Sequence, residues 1–158
     1  CAIAEEMGLS ENQVAGIRTA GILHDIGKIH IPGEILSRPS KLTKDEFNIV
    51  RTHAQAGYDI LEGIEFPWPI ADIVHQHHEH VDGSGYPLGL SNNDILIEAR
   101  ILCVADVVEA MSSHRPYRPA LGIDKALEEV CKSKGICYDS DVVDACLKVI
   151  KEKGFVFE

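Results

Sequence analysis

The sequence predicts an all-α domain, and three observations carry that expectation. Apolar residues recur at helical three- and four-residue spacing along nearly the whole chain. Two Ser/Thr-x-x-Glu/Gln signatures, at Ser10 with Gln13 and at Thr43 with Glu46, mark helix starts. At 158 residues, 45% hydrophobic and 25% charged, the chain has the composition of an ordinary globular protein and the length of about one domain, with no internal repeat and no interior linker.

Residues 1–7 read as the tail of a helix closed by Gly8, whose missing Cβ suits a helix C-terminus. The chain is therefore expected to begin inside a larger protein, with its first helix incomplete. The Ser10 box opens a second helix through Val14, Ile17, Gly21, Ile22 and Leu23 to His24. Pro32 and Pro39 bracket an irregular stretch holding one helical turn. From the Thr43 box a helix runs through Phe47, Ile49, Val50, His53, Gly57, Ile60 and Leu61. Pro67-Trp68-Pro69 starts the next, which is expected to carry Ile70, Ile73, Val74, His77 and His78. Residues 81–94 combine Asp82-Gly83-Ser84-Gly85 with Ser91-Asn92-Asn93-Asp94 and read as a long loop. Helices are then expected over about 97–111, 123–134 and 140–153.

Composition excludes several classes. The 15 basic and 25 acidic residues leave a net charge of -10, which argues against a broad basic face for nucleic acid. No apolar run approaches the roughly 20 residues of a membrane span. Five cysteines, an odd number with no CxxC pair, favour free thiols in a reducing cytoplasm over a disulfide framework. Cys103, within Ile101-Leu102-Cys103-Val104, reads as a buried thiol. A lipid anchor on Cys1 is the less favoured alternative.

Eight histidines are present, and four fall between His75 and His80, which draws attention to metal chemistry. His24-Asp25 closes one helix, His53 lies on the next and His77-His78 on the one after. Asp106 stands among Val104, Ala105, Val107 and Val108, where a carboxylate is costly unless paired or bound to metal. Imidazoles with carboxylates suit iron, manganese or zinc. Each residue taken alone has a plainer reading. His53 could be a satisfied core or surface histidine, Asp106 an ion-paired core residue, and His75 and His80 solvated neighbours. Four histidines and two aspartates in combination suit two metal ions, with positions left for water and substrate.

The blocks His24-Asp25-Ile26-Gly27-Lys28, His77-His78-Glu79, Asp82-Gly83-Ser84-Gly85-Tyr86-Pro87, Ala105 to Met111 and Arg115-Pro116-Tyr117-Arg118 together resemble the HD-GYP family, a subgroup of the HD-domain metal phosphohydrolases. The similarity runs over essentially the whole chain, in matching order and spacing. It implies an HD-domain helical bundle with a GYP loop between helices. It also implies a bacterial signalling phosphodiesterase that hydrolyses cyclic di-GMP to pGpG, in some members on to GMP. By resemblance His24, Asp25, His53, His77, His78 and Asp106 are metal ligands, Asp25 bridging, for two ions (three in some relatives), most often iron or manganese. Lys28 contacts the scissile phosphate. Gly85, Tyr86 and Pro87 form the loop beside the substrate, Tyr86 packing on a guanine, and Arg115 and Arg118 hold phosphate or base edges.

The resemblance further implies an upstream receiver or sensory domain and leaves room for a homodimer. The family's usual first ligand, a His on a preceding helix, lies before residue 1. His30, Val81 and Glu109 depart from the family's usual residues without removing an expected ligand.

The chemistry expected of such a set is attack on phosphorus by a metal-bridged hydroxide, with charge on the phosphoryl oxygens neutralised by the metals and Lys28. Lys28 lies three residues after Asp25, so a continuing helix would put both on one face; the plainer reading is a cation at a helix C-terminus. Tyr86 offers a flat face to a base, or anchors its loop on the core. Arg115 and Arg118 suit phosphate or guanine recognition, or an ion-paired turn. The alternatives in function are a phosphohydrolase for another cyclic dinucleotide or nucleotide, and a catalytically inactive nucleotide-binding or adaptor module.

Overall fold

Helix capping sets the first elements. The computed structural model describes residues 1–113 and 121–155. Helix α1, Ala2–Glu6, ends at Gly8 (φ +75°), with Gly8 N–H bonded to Glu5 O and Leu9 N–H to Ala4 O. This is the paired 5→2 and 6→1 closure that a left-handed glycine permits. Helix α2, Glu11–Leu23, starts at Ser10, whose side chain accepts from Gln13 N–H while Gln13 Oε1 accepts from Ser10 N–H. A 3-10 helix, Ile26–His30, follows, then the single turn α3, Gly33–Leu36, between the two prolines.

Helix α4, Lys44–Arg51, opens on the Thr43–Glu46 box, and α5 is His53–Leu61. The one helix expected over this span is therefore two. At Thr52 the hydroxyl donates to Ile49 O (2.7 Å) and the amide bonds the same carbonyl at 3.1 Å, so the backbone tightens for one residue before α5 begins. Helix α6, Ile70–Gln76, ends directly before His77, which is its C-cap, and His78 lies in the turn beyond, so the helix does not carry the two histidines as expected. The loop after it holds one short 3-10 turn, Asn92–Asp94. Helices α7 (Ile97–Ser112), α8 (Ile123–Lys132) and α9 (Ser140–Lys151) complete the described chain, the last two ending two residues earlier than their sequence pattern suggested.

Among the described residues there is no strand, only isolated bridges such as Asp82 with Ser91. No described helix is long and apolar enough to cross a membrane, and the five cysteines are free.

Helix α7 is the axis of the packing because it is apolar nearly all round. Ile101, Cys103, Val104 and Val108 enter a core shared with α1, α2, α8 and α9, built on Ile3, Val14, Ile17, Leu127, Val130, Val142 and Val143. Ala99 and Leu102 enter a second core with Ala20, Leu61, Ile70, Ile73 and Val74 from α2, α5 and α6. Arg100 straps the loop to this axis: its guanidinium donates to Asn92 O, Ile95 O and Asp139 (2.9 Å). The 3-10 helix lies so close to α5 that a Cβ on Gly27 would sit 2.0 Å from His53 O and 2.5 Å from Gly57 N, so only glycine fits. That contact brings the end of α2 against the start of α5, and α6 also packs on α5, with Val74 against Gly57.

Candidate metal centre

Three histidines sit at helix boundaries, and each spends one ring nitrogen on the helix that delivers it. His24 Nδ1 bonds Gly21 O at 2.7 Å, His53 Nδ1 bonds Val50 O at 2.7 Å, and His77 Nδ1 bonds Val74 O at 2.5 Å. A carbonyl oxygen only accepts, so each Nδ1 carries the proton and each Nε2 presents a lone pair. The three carbonyls lie three residues before their histidines, where they would otherwise serve the next helical turn. The imidazoles thus help end or break the helices that position them.

The three Nε2 atoms turn toward one another and toward two carboxylates. His24 Nε2 lies 3.5 Å from Asp25 Oδ2 and 3.8 Å from Asp106 Oδ1. His53 Nε2 lies 3.7 Å from Asp25 Oδ1 and 3.3 Å from His77 Nε2. His78 joins them: one ligand atom each from His53, His77 and His78 falls within 4.8 Å of the others, and its ring centroid is 3.9 Å from that of His77. The fold therefore brings together all six residues expected as ligands.

Exposure is graded across the cluster. The side chains of Asp25 (40%), Lys28 (33%), Asp106 (23%) and His24 (20%) form an accessible rim, whereas His53 (2%) lies in the floor with fully buried His77.

Charge supports a cation here. Burial pushes His77 down to about 3, and burial with the neighbouring imidazoles pushes His78 and His53 down as well, so all three are neutral near pH 7. Burial works against ionisation of Asp25, but the hydrogen-bonded Lys28 ammonium and the adjacent His24 outweigh it and hold its carboxyl below the usual range. Two lone pairs 3.3 Å apart with no proton between them repel, and a divalent ion between neutral imidazoles and ionised carboxylates removes that repulsion. The donor set fits the ions its chemistry implies.

Lys28 Nζ donates to Asp25 Oδ2 at 2.6 Å. The α-helix does not continue to Lys28. The chain tightens instead into the 3-10 helix, whose three-residue turn eclipses positions three apart and puts the ammonium over the carboxylate.

Gly85 is pressed on the His77-His78-Glu79 segment: a Cβ there would meet His80 N at 2.4 Å and Glu79 Cα at 2.5 Å. Tyr86 lies against His78 (ring centroids 4.7 Å) with the Arg51 guanidinium 4.3 Å over its ring, and Tyr86 and Pro87 border an open groove of about 640 Å³ with His30, Asn48 and Arg51. Stacking of Tyr86 on a base would thus have to share the ring with these two neighbours. Arg115 and Arg118 lie outside the described residues.

Two residues that spacing did not single out matter here. Glu79, 2% exposed, accepts from the backbone N–H groups of Leu88 (2.6 Å), Gly89 (3.1 Å) and Leu90 (2.9 Å), and so holds the loop against the centre. A carboxylate beside two ligand histidines was the available signal, but its partners lie nine to eleven residues away. Arg51 left no signal, because a charge on an amphipathic helix ordinarily faces water. His75 is not a solvated neighbour. It is buried, bonds Gln55 Oε1 at 2.8 Å and stacks on Tyr58, facing away from the centre.

The HD-domain family model matches residues 1–142. The cyclic di-GMP phosphodiesterase response regulator RpfG of Xanthomonas campestris pv. campestris is 46% identical over 148 residues, 92% of this chain and 39% of RpfG. A cyclic di-GMP phosphodiesterase of Thermotoga maritima is 45% identical over 152 residues, 95% of this chain and 41% of its own. The chain thus spans about two fifths of the length of these curated relatives. Among solved structures, Bd1817, an HDG"Y"P protein from Bdellovibrio bacteriovorus, superposes with a TM-score of 0.77 at 17% identity, covering 95% of this chain and 48% of that one, a likeness of fold.

Proposed function

The chain belongs to the HD-domain family, in its HD-GYP group, and from that membership we propose that it is a metal-dependent phosphodiesterase that hydrolyses cyclic di-GMP to linear pGpG. The observation that carries the reading is the convergence of three Nδ1-anchored imidazoles, through their Nε2 lone pairs, on Asp25 and Asp106 at an open rim. The names of the RpfG and Thermotoga maritima relatives supply the substrate class.

His24, His53, His77, His78, Asp25 and Asp106 would hold the divalent ions, iron or manganese, with Asp25 the ligand expected to serve both. When bound, the ions supply Lewis acidity to the phosphoryl oxygens and to the attacking water. Water adds to phosphorus and the P–O3' bond breaks, leaving a 5'-phosphate and a 3'-hydroxyl. Lys28, already poised on Asp25, offers its remaining N–H bonds to a phosphoryl oxygen as negative charge grows there. Glu79 holds Leu88 to Leu90 so that Gly85, Tyr86 and Pro87 form one wall beside the substrate, and Arg115 and Arg118 take phosphate or base edges. The net charge of -10 does not oppose a small anionic substrate, because the ions, Lys28 and the arginines make the site locally positive. The same proposal places the reaction in the cytoplasm under an upstream receiver or sensory domain.

The test is turnover by protein loaded anaerobically with Mn(II) or Fe(II), with products separated by chromatography. Cyclic di-GMP is expected to give pGpG. His77→Ala is expected to lower the rate by roughly 100-fold or more, as loss of several kcal/mol of charge stabilisation implies. A preference for cyclic GMP-AMP or a deoxynucleoside triphosphate would reassign the substrate. Metal-loaded protein that binds cyclic di-GMP without releasing any product would overturn the enzymatic reading.

A further inference from the structure

The segment that delivers His77 and His78 carries a second set of metal-type donors on its other side. His80 and Asp82, just beyond Glu79, meet Cys137 from the turn between α8 and α9, and one ligand atom from each lies within 4.8 Å of the others. We propose that His80, Asp82 and Cys137 form a separate zinc site that clips the loop of residues 80–91 to the α8–α9 turn.

Backbone hydrogen bonds hold together the two segments that carry the three donors. Val81 N–H bonds Cys137 O at 3.0 Å, placing the neighbours of His80 and Asp82 against Cys137. On the loop side, Gly83 N–H bonds His80 O, Asn92 N–H bonds Val81 O, and Asp82 Oδ1 accepts from Ser84 N–H at 2.9 Å. On the other, Cys137 N–H bonds Ser133 O and Gly135 N–H bonds Tyr138 O, and the buried Tyr138 ring sets an edge against His80 (centroids 5.9 Å). Donors held this way lose little freedom when an ion binds.

The Ser84 hydroxyl lies beside the donors, 2.9 Å from His80 Nδ1, and the Ser84 backbone N–H donates to Asp82 Oδ1. The hydroxyl is the nearest candidate for a fourth donor, with water the alternative.

The donor chemistry selects the ion. An imidazole, a carboxylate and a thiol are a mixed set with one soft sulfur, the kind that zinc takes in four-coordinate sites, whereas the His/Asp centre beside it has no sulfur. Binding replaces the thiol proton by zinc and releases that proton to solvent. Asp82 is exposed and His80 and Cys137 are half-buried, so the site opens to solvent independently of the first centre.

The experiment uses the whole chain, stripped of metal by a chelator and titrated with Co(II), then with Zn(II). Wild-type protein is expected to develop a thiolate-to-cobalt charge-transfer band that Zn(II) abolishes. Cys137→Ser is expected to lose the band, while Cys131→Ser and His77→Ala retain it, which separates this site from the exposed Cys131 thiol and from the first centre. In wild type, Zn(II) at about ten times its dissociation constant is expected to slow iodoacetamide labelling of Cys137 roughly tenfold, and to leave that rate unchanged in Asp82→Asn. No band in wild type, a band that survives Cys137→Ser, or equal protection of Cys137 in Asp82→Asn would each overturn the site.

Discussion

Gly27→Ala tests whether close backbone contact builds the first centre. The added methyl carbon would lie 2.0 Å from His53 O, 2.5 Å from Gly57 N and 2.9 Å from His53 C, all backbone atoms that no rotamer change can move. Lifting it to the 3.4 Å of ordinary contact takes 1.4 Å along the shortest of these lines. The 3-10 helix carrying Lys28 must then part from the helix start carrying His53. Overpacking of this kind costs typically 1–3 kcal/mol, and with the contact entirely against backbone the expected loss is about 3 kcal/mol. For a chain of this length that is a fall in melting temperature of roughly 6–12 °C. Because His53 moves relative to Asp25, Mn(II) affinity is expected to fall by roughly 10–100-fold.

Gly21→Ala is the control. The nearest atom to its added Cβ is Leu102 Cδ1 at 3.9 Å, and alanine in the last turn of α2 is expected to raise stability by about 0.5 kcal/mol. Urea unfolding midpoints and Mn(II) titration of the two variants settle the matter. If Gly27→Ala unfolds at the wild-type midpoint and binds Mn(II) as tightly, the reasoning is wrong.

Glu79→Gln turns one of the loop's acceptor oxygens into a donor facing backbone N–H groups; it is expected to cost about 2–4 kcal/mol and to speed hydrogen exchange at Leu88, Gly89 and Leu90 ahead of the rest of the chain. His75→Ala is expected to cost about 1–3 kcal/mol by removing a buried ring that stacks on Tyr58, while the metal content of the purified protein stays at the wild-type value. At Asp139 burial opposes ionisation, but Arg100 and the N–H groups of Asp141 and Val142 outweigh it and depress the carboxyl below the usual aspartate value of 3.8. The folded form is the stronger acid, so the stabilisation is complete above the unfolded value near pH 4 and is lost as pH falls through the lower folded value. Asp139→Asn is accordingly expected to flatten the dependence of the urea midpoint on pH below about 4.

Local chemistry was legible wherever a residue and its partner lie within a few positions. The Ser10 and Thr43 boxes, the Gly8 closure and the single turn between Pro32 and Pro39 are decided by contacts no more than five residues apart, and periodicity finds such elements. The six expected ligands were legible as residue types in a recognisable order. The break at Thr52 was not. The Thr52 hydroxyl and the His53 imidazole take the carbonyls of Ile49 and Val50, and a pattern of apolar positions does not register that competition. The same competition by His77 for Val74 O accompanies the end of α6 before the histidine pair.

By itself the sequence determined an all-α chain, the free cysteines, the donor set and the membership of a family, because these follow from composition, short-range spacing and motif order. Only the tertiary structure decided which nitrogen of each histidine faces the centre, that Lys28 lies on Asp25, that Glu79 serves the loop rather than the metal, and that His75 turns away while His80 meets Cys137. These outcomes depend on atoms brought together from positions as far apart as His24 and Asp106, and at a resolution of a few tenths of an ångström. The packing of α5 on Gly27 and of the loop on Glu79 sets that geometry, and no one-dimensional pattern encodes it.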